Sequence, residues 1–102
     1  VNITARPALN PRQGASMTAY TASKAAVAAF TVALAEELKG EDISVIALAP
    51  STIDTPVNRK DMPKADHASW VKPAAIAELI AAHMALSETI NSGALIPVYG
   101  RA

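Results

Sequence analysis

The 102 residues make one small domain's worth of chain, and a composition of 51% hydrophobic and 18% charged residues excludes a disordered polymer. Nine basic and nine acidic side chains cancel, so there is no basic excess to bind nucleic acid or an anionic membrane. With no cysteine there is no disulfide framework and no thiolate metal site, and neither His67 nor His83 has a partner at metal-ligand spacing. No apolar run approaches a membrane span and no signal-peptide pattern opens the chain, so a cytoplasmic, metal-free protein is expected.

Val1 leads straight into a strand-like run, "VNITA", without an initiator methionine, which suggests a piece of a longer protein. "RPALNPRQGASM", with two prolines, Asn10 and Gly14, reads as a loop. Thr18 is placed to cap a long helix whose Val27, Phe30, Leu34 and Leu38 form one apolar stripe. Gly40, after Lys39, sits where a C′ glycine would end it. "ISVIALA" has the composition of a strand buried on both faces. From Pro50 to Lys72 three prolines and mixed polarity indicate a functional loop containing short helical turns. Pro73 then starts a second amphipathic helix through Ile76, Leu79, Ile80, His83 and Met84. "GALIPVY" closes the chain as a strand, and Pro97 suggests an edge position or a break in pairing.

Strand, helix, strand, loop, helix, strand is the order of right-handed βαβ units on a parallel sheet, an α/β architecture. Four glycines leave no room for a G-x-G-x-x-G turn. If the fold binds a nucleotide, the nucleotide half is missing from this chain.

"MTAYTASKAAVAAF" carries the chemistry. Tyr20 and Lys24 are its only large polar side chains, and residues four apart share a helix face. A free phenol has a pKa of about 10 and needs roughly 4 kcal/mol of preference for the phenolate to titrate near neutrality. One ammonium about 4 Å away, at an effective dielectric near 20, supplies energy of that size. The pair is therefore suited to general acid/base work, although the spacing alone also arises by chance.

"YTASKAAV" resembles the Y-x-x-x-K segment of the short-chain dehydrogenase/reductase family, including Ser23 before the lysine. "VNITA" is similar to that family's strand before the active-site loop. "ISVIALAPSTIDTP" resembles its next strand with the proline-led cofactor loop, and "NSGALIPVYG" its closing strand. "DTPVNRKDMPKADHASW" most resembles the dihydropteridine reductase branch. The resemblance implies that residues 1–102 are the C-terminal catalytic and substrate half of a doubly wound, Rossmann-like domain whose dinucleotide-binding half is absent. It implies an oxidoreductase using NAD or NADP on a small-molecule substrate, as a homodimer or homotetramer when full length. On that basis Tyr20 exchanges a proton with the substrate, and Lys24 assists it and holds the nicotinamide ribose. Pro50, Ser51, Ile53 and Thr55 would lie against the nicotinamide.

Two departures stand out. Ser51 replaces the glycine usual after Pro50; the dihydropteridine reductase branch also lacks that glycine. Ala5 stands where most members carry the serine that polarises a substrate carbonyl; the same branch also has alanine there. Thr4 is a conceivable substitute, but strand alternation points it to the other face. A quinonoid dihydropterin or another quinone-like acceptor is therefore the expected substrate.

Met17, Met62 and Trp70 either line a pocket for a flat ring or anchor loops. Arg59 and Lys60 read as solvated loop charges, and the two histidines as surface or helix-flank residues. Ala22, Ala26, Ala29 and Ala33 give the long helix a small-residue face; the resemblance implies a dimer bundle there, and helix propensity alone also favours alanine. The alternative to an enzyme is a non-catalytic scaffold or dimerisation module derived from the same fold, with the isolated fragment inert.

Overall fold

The computed structural model describes residues 1–86 and 90–102. Three parallel strands lie in the order β1 (Asn2–Ile3), β2 (Ala47–Pro50), β3 (Leu95–Val98), with Asn2 opposite Ala47 and Ala47 opposite Leu95. Each pair of strands is joined by a crossover containing a helix, as parallel pairing requires. The expected α/β order is found, with shorter strands. Pairing in β1 is limited to two residues and one flanking bond, from Thr4 N to the Leu48 carbonyl. Pro97 lies in β3 at the sheet edge, where its missing N–H costs nothing.

Alternation along β2 sorts the two layers. Ile46 and Leu48 face a core of Val71 and Ile76, against which Leu79, Ile80, Ile96 and Val98 pack. That is the layer of helix α4 (Pro73–Met84), whose start at Pro73 matches the sequence expectation. Ala47 and Ala49 are fully buried on the opposite side, with Asn2 of β1 and Thr4 just after it. There Asn2 Nδ2 donates to Thr31 Oγ1 at 3.1 Å and Thr4 Oγ1 donates to the Lys24 carbonyl at 2.5 Å. Both partners belong to helix α2 (Thr18–Glu37). The sheet is covered on both faces, the doubly wound arrangement.

The long helix corrects several expectations. It begins at Thr18 itself, with Met17 at the N-cap position and no side-chain cap. It ends at Glu37 with Leu38 at the C-cap, so Gly40 lies beyond the C′ position. Its buried residues are Ala28, Thr31 and Ala35, while Phe30 is 57% exposed. Small side chains let the helix approach the sheet closely, and Thr31 satisfies its hydroxyl by donating to the Val27 carbonyl at 2.8 Å. Phe30 instead joins Ala22, Ala26, Ala29 and Ala33 on the exposed face.

Residues 6–14, expected as a loop, form helix α1 (Arg6–Leu9) and a 3₁₀ turn (Pro11–Gly14), each with a proline in its first turn. Gly14 is buried against Thr21; a Cβ there would lie 2.0 Å from Thr21 Oγ1. The 50–72 segment contains short helical turns as expected: helix α3 (Pro56–Asp61) and a 3₁₀ turn (His67–Ser69). It is closed on itself by a parallel bridge between Ile53 and Val71, with Asp54 N donating to the Val71 carbonyl at 2.8 Å.

Candidate active site

A cleft of about 550 Å³ opens at the carboxyl ends of β1 and β2, where open α/β sheets bind ligands. Its wall includes Thr4 and Ala5 after β1, Pro50 at the end of β2 with Ser51 to Ile53 after it, Tyr20 and Lys24 of α2, Asn58 of α3 and Met62 just beyond that helix.

Tyr20 and Lys24 stand one turn apart, the ammonium 5.9 Å from the centre of the phenol ring. Tyr20 is 48% exposed, so its hydroxyl is accessible to a molecule entering the cleft. Lys24 Nζ donates to the Ile3 carbonyl at 3.1 Å, which steadies the long side chain across the end of β1. An ammonium has three N–H donors, so two remain for a ligand such as the hydroxyls of a ribose. The Thr4 bond to the Lys24 carbonyl holds the same helical turn from the backbone side. Thr4 is 1% exposed and its single hydroxyl proton is committed there, so it is not the substitute donor considered from the sequence. Ala5, 4% exposed, adds only a methyl group to the wall.

The loop after β2 is rigidly held. Ser51 N donates to the Val98 carbonyl at 3.1 Å and Ser51 Oγ to the Tyr99 carbonyl at 2.9 Å. Serine thus ties the loop to β3, a bond that glycine could not make. Asn58 Nδ2 donates to the Ile53 carbonyl at 2.8 Å. Thr55 Oγ1 accepts from Asn58 N at 3.2 Å as the N-cap of α3 and stands outside the cleft wall.

Of the residues singled out from sequence, Tyr20, Lys24, Ala5, Pro50, Ser51, Ile53, Met17 and Met62 come together in this wall. Trp70 does not. It is buried at 8% exposure with its ring 4.5 Å from that of His67, so it anchors the loop. His67 is further fixed through Nε2 and the Met62 carbonyl at 2.8 Å, and His83 through Nδ1 and Asn91 Nδ2 at 3.3 Å.

Arg59 is half exposed, as expected of a loop charge, but it is also paired. Its Nε and Nη2 donate to the two oxygens of Asp54, at 2.6 and 3.0 Å, and Lys72 Nζ reaches the same carboxylate. Hydrogen bonds from Arg59 and Lys72 hold the Asp54 carboxyl well below the usual carboxylate range, and Asp54 in turn raises the Arg59 guanidinium. This clasp fastens α3 to the start of α4. Sequence reasoning missed it because Asp54 and Lys72 are distant along the chain. It also passed over Arg6, which lines the cleft with its guanidinium over the Tyr99 ring.

A parallel sheet wound on both faces, with a phenol and an ammonium sharing a cleft at its strand ends, has the architecture of a Rossmann-like α/β fold, which binds ligands at that end of the sheet. The chain belongs to the short-chain dehydrogenase family, whose model matches residues 1–66. It is 31% identical to a 3-ketoacyl-(acyl-carrier-protein) reductase from Brucella melitensis complexed with NADH, with a TM-score of 0.79 over 98% of this chain and 42% of that one. It is 33% identical to an acetoin dehydrogenase from Salmonella typhimurium, with a TM-score of 0.75 over 98% of this chain and 41% of that one. A short-chain dehydrogenase from Escherichia coli CFT073 complexed with NADPH is 25% identical, with a TM-score of 0.74 over 93% of this chain and 38% of that one. The chain therefore spans about two fifths of the length of the solved structures it matches.

Proposed function

We propose that the full-length parent of this chain is an NAD(P)H-dependent reductase in which Tyr20 delivers the proton. The observation that carries the reading is the joint opening of Tyr20 and Lys24 into one cleft whose β1 wall offers no free hydroxyl. A reduced nicotinamide, when bound, supplies the hydride. Hydride and one proton together reduce one double bond of the acceptor by two electrons, and Tyr20 is the donor of that proton. Lys24 steadies the phenolate left behind and uses its remaining N–H donors on the cofactor's ribose. Pro50, Ser51 and Ile53 form a stiff floor that shields the reacting faces from water.

The acceptor class follows from Ala5. An isolated ketone gathers negative charge on one oxygen and gains several kcal/mol from a second donor. A quinonoid dihydropterin or a quinone-like ring spreads that charge, so one proton from Tyr20 suffices. This supports the dihydropteridine reductase branch suggested by the "DTPVNRKDMPKAD" segment. The exposed Ala22, Ala26, Ala29, Phe30 and Ala33 face of α2 supports helix-to-helix pairing of parents into a homodimer or homotetramer.

Tyr20→Phe in the full-length parent is the test, followed by loss of nicotinamide absorbance with quinonoid dihydropterin as acceptor. Removing the proton donor lowers kcat by about 10²–10⁴-fold while dinucleotide affinity stays nearly intact. Near-normal turnover by the variant would reject Tyr20 as the donor.

A further inference from the structure

Proton transfer leaves one cation of the cleft without a task. Arg6 opens α1 directly after Ala5 and lines the cleft with Tyr20 and Met62. Its guanidinium carbon lies over the Tyr99 ring, 4.5 Å from the centroid, so cation–π attraction holds the head of the side chain in place. Among the described residues it forms no ion pair. Arg59 shows the contrast, since both prongs of its fork are taken by Asp54. Among the described residues no Asp or Glu side chain lines the cleft to compete for the Arg6 fork. Lys24, the other cation there, is engaged by the Ile3 carbonyl and stands beside Tyr20.

We propose that Arg6 is the substrate-recognition residue of the cleft, gripping a planar edge with two adjacent acceptors: a carboxylate, or a ring carbonyl beside a bare ring nitrogen. The inference rests on the oxidoreductase reading of the same cleft and adds what its substrate must carry. A guanidinium directs its N–H groups outward in its own plane, and the contact with Tyr99 restrains the position from which they reach. Two side-by-side lone pairs meet that fork with two parallel hydrogen bonds, as the carbonyl and ring nitrogen of guanine do with arginine. Such an edge lies in the plane of the ring that bears it. Arg6 therefore fixes the in-plane rotation of a flat acceptor and so decides which bond faces Tyr20. An acceptor with isolated carbonyls offers one lone-pair site at a time and is held less firmly.

The test uses the full-length parent as wild type, Arg6→Lys and Arg6→Gln, with binding and turnover scored separately. Binding is measured with pterin, which has the ring carbonyl beside a ring nitrogen, by quenching of its fluorescence, and with benzoate by calorimetry. Turnover compares quinonoid dihydropterin with 1,4-naphthoquinone, whose two carbonyls lie on opposite sides of the ring and offer no two-acceptor edge. Arg6→Gln weakens binding of the preferred probe by about 10–100-fold and leaves naphthoquinone kcat/KM nearly unchanged. A loss confined to pterin names the ring edge, and one confined to benzoate names the carboxylate. Arg6→Lys keeps the charge without the fork, so it rescues benzoate in part and pterin hardly at all. Equal losses on naphthoquinone, unaltered binding of both probes, or no binding of either to the wild type would overturn the assignment. If no acceptor oxidises NADH or NADPH, the oxidoreductase reading falls, and the two binding constants still decide the case of Arg6.

Discussion

Ala5→Ser should turn the parent towards plain carbonyl substrates. In the wild type the only hydroxyl at the end of β1 is that of Thr4, and its proton is spent on the Lys24 carbonyl at 2.5 Å. Ala5 is 4% exposed and belongs to the cleft wall, so a serine there would place a free O–H at the reacting end of the pocket. One pre-placed donor is worth about 10²–10³-fold in kcat, or roughly 3–4 kcal/mol. Against this stands a cost of about 1–3 kcal/mol for burying a hydroxyl that is unbonded before substrate arrives. The net expectation is a rise of about 10-fold or more in kcat/KM for simple ketones, with little change for quinonoid dihydropterin. The assay is a substrate panel on both enzymes, with Thr4→Val as the control. That control removes the helix anchor at about 1 kcal/mol of stability but leaves the new donor in place. The reasoning fails if wild type already reduces ketones strongly and ignores pterins, or if Ala5→Ser folds normally without any gain on ketones.

Gly14→Ala should destabilise the parent by about 1–3 kcal/mol in denaturant unfolding, since the added methyl would overlap Thr21 Oγ1. Thr21→Ala should rescue it in part: that hydroxyl is buried without a hydrogen-bond partner, so its loss sacrifices no bond, but the Cβ of residue 21 stays 2.9 Å from the added methyl. Asp54→Asn should raise KM for the acceptor several-fold, through loosening of α3 with its Asn58 and Met62, while kcat changes less. Because the folded Asp54 pKa is depressed, its contribution is present above the unfolded value of about 3.9 and is lost only as pH falls through the lower folded value. The gap in melting temperature between wild type and Asp54→Asn should therefore stay flat from about pH 8 to 5 and close only in stronger acid; a gap that closes between pH 7 and 5 would contradict the clasp. The 102-residue chain alone should show no micromolar heat of binding with NADH in calorimetry, since it carries no glycine-rich turn leading into a helix N-terminus.

What could be read from the sequence was what repeats or punctuates. The buried "VIALA" run, Pro73 at a helix start and Pro97 at an edge strand each act locally, through burial or a missing N–H. The helix and turn between Arg6 and Gly14 escaped because four residues are too few to display a period, and their prolines read equally well as loop signals. Phe30 was misplaced because the helical stripe was drawn through the largest side chains, while close approach to the sheet selected Ala28, Thr31 and Ala35. In the site, Tyr20 and Lys24 were legible because they share one helix. Trp70, the Asp54 clasp and the committed proton of Thr4 depend on partners brought in from distant segments, which spacing does not encode.

The stack of Arg6 on Tyr99 joins the beginning of the chain to its end. Ser51, midway, donates to the carbonyl of the same Tyr99. Contacts of such sequence separation are slow to close, because the entropy of the intervening loop is lost before any bond rewards it. During synthesis Tyr20 and Lys24 would leave the ribosome and coil into their helix well before Tyr99 is translated. Until that last strand docks, Arg6 has no ring to lie on and the loop after Pro50 has no floor. The Tyr20–Lys24 helix is thus an early product of folding and the finished cleft a late one, so nascent chains released short of Tyr99 would carry the proposed proton donor without the wall proposed to select what it acts on.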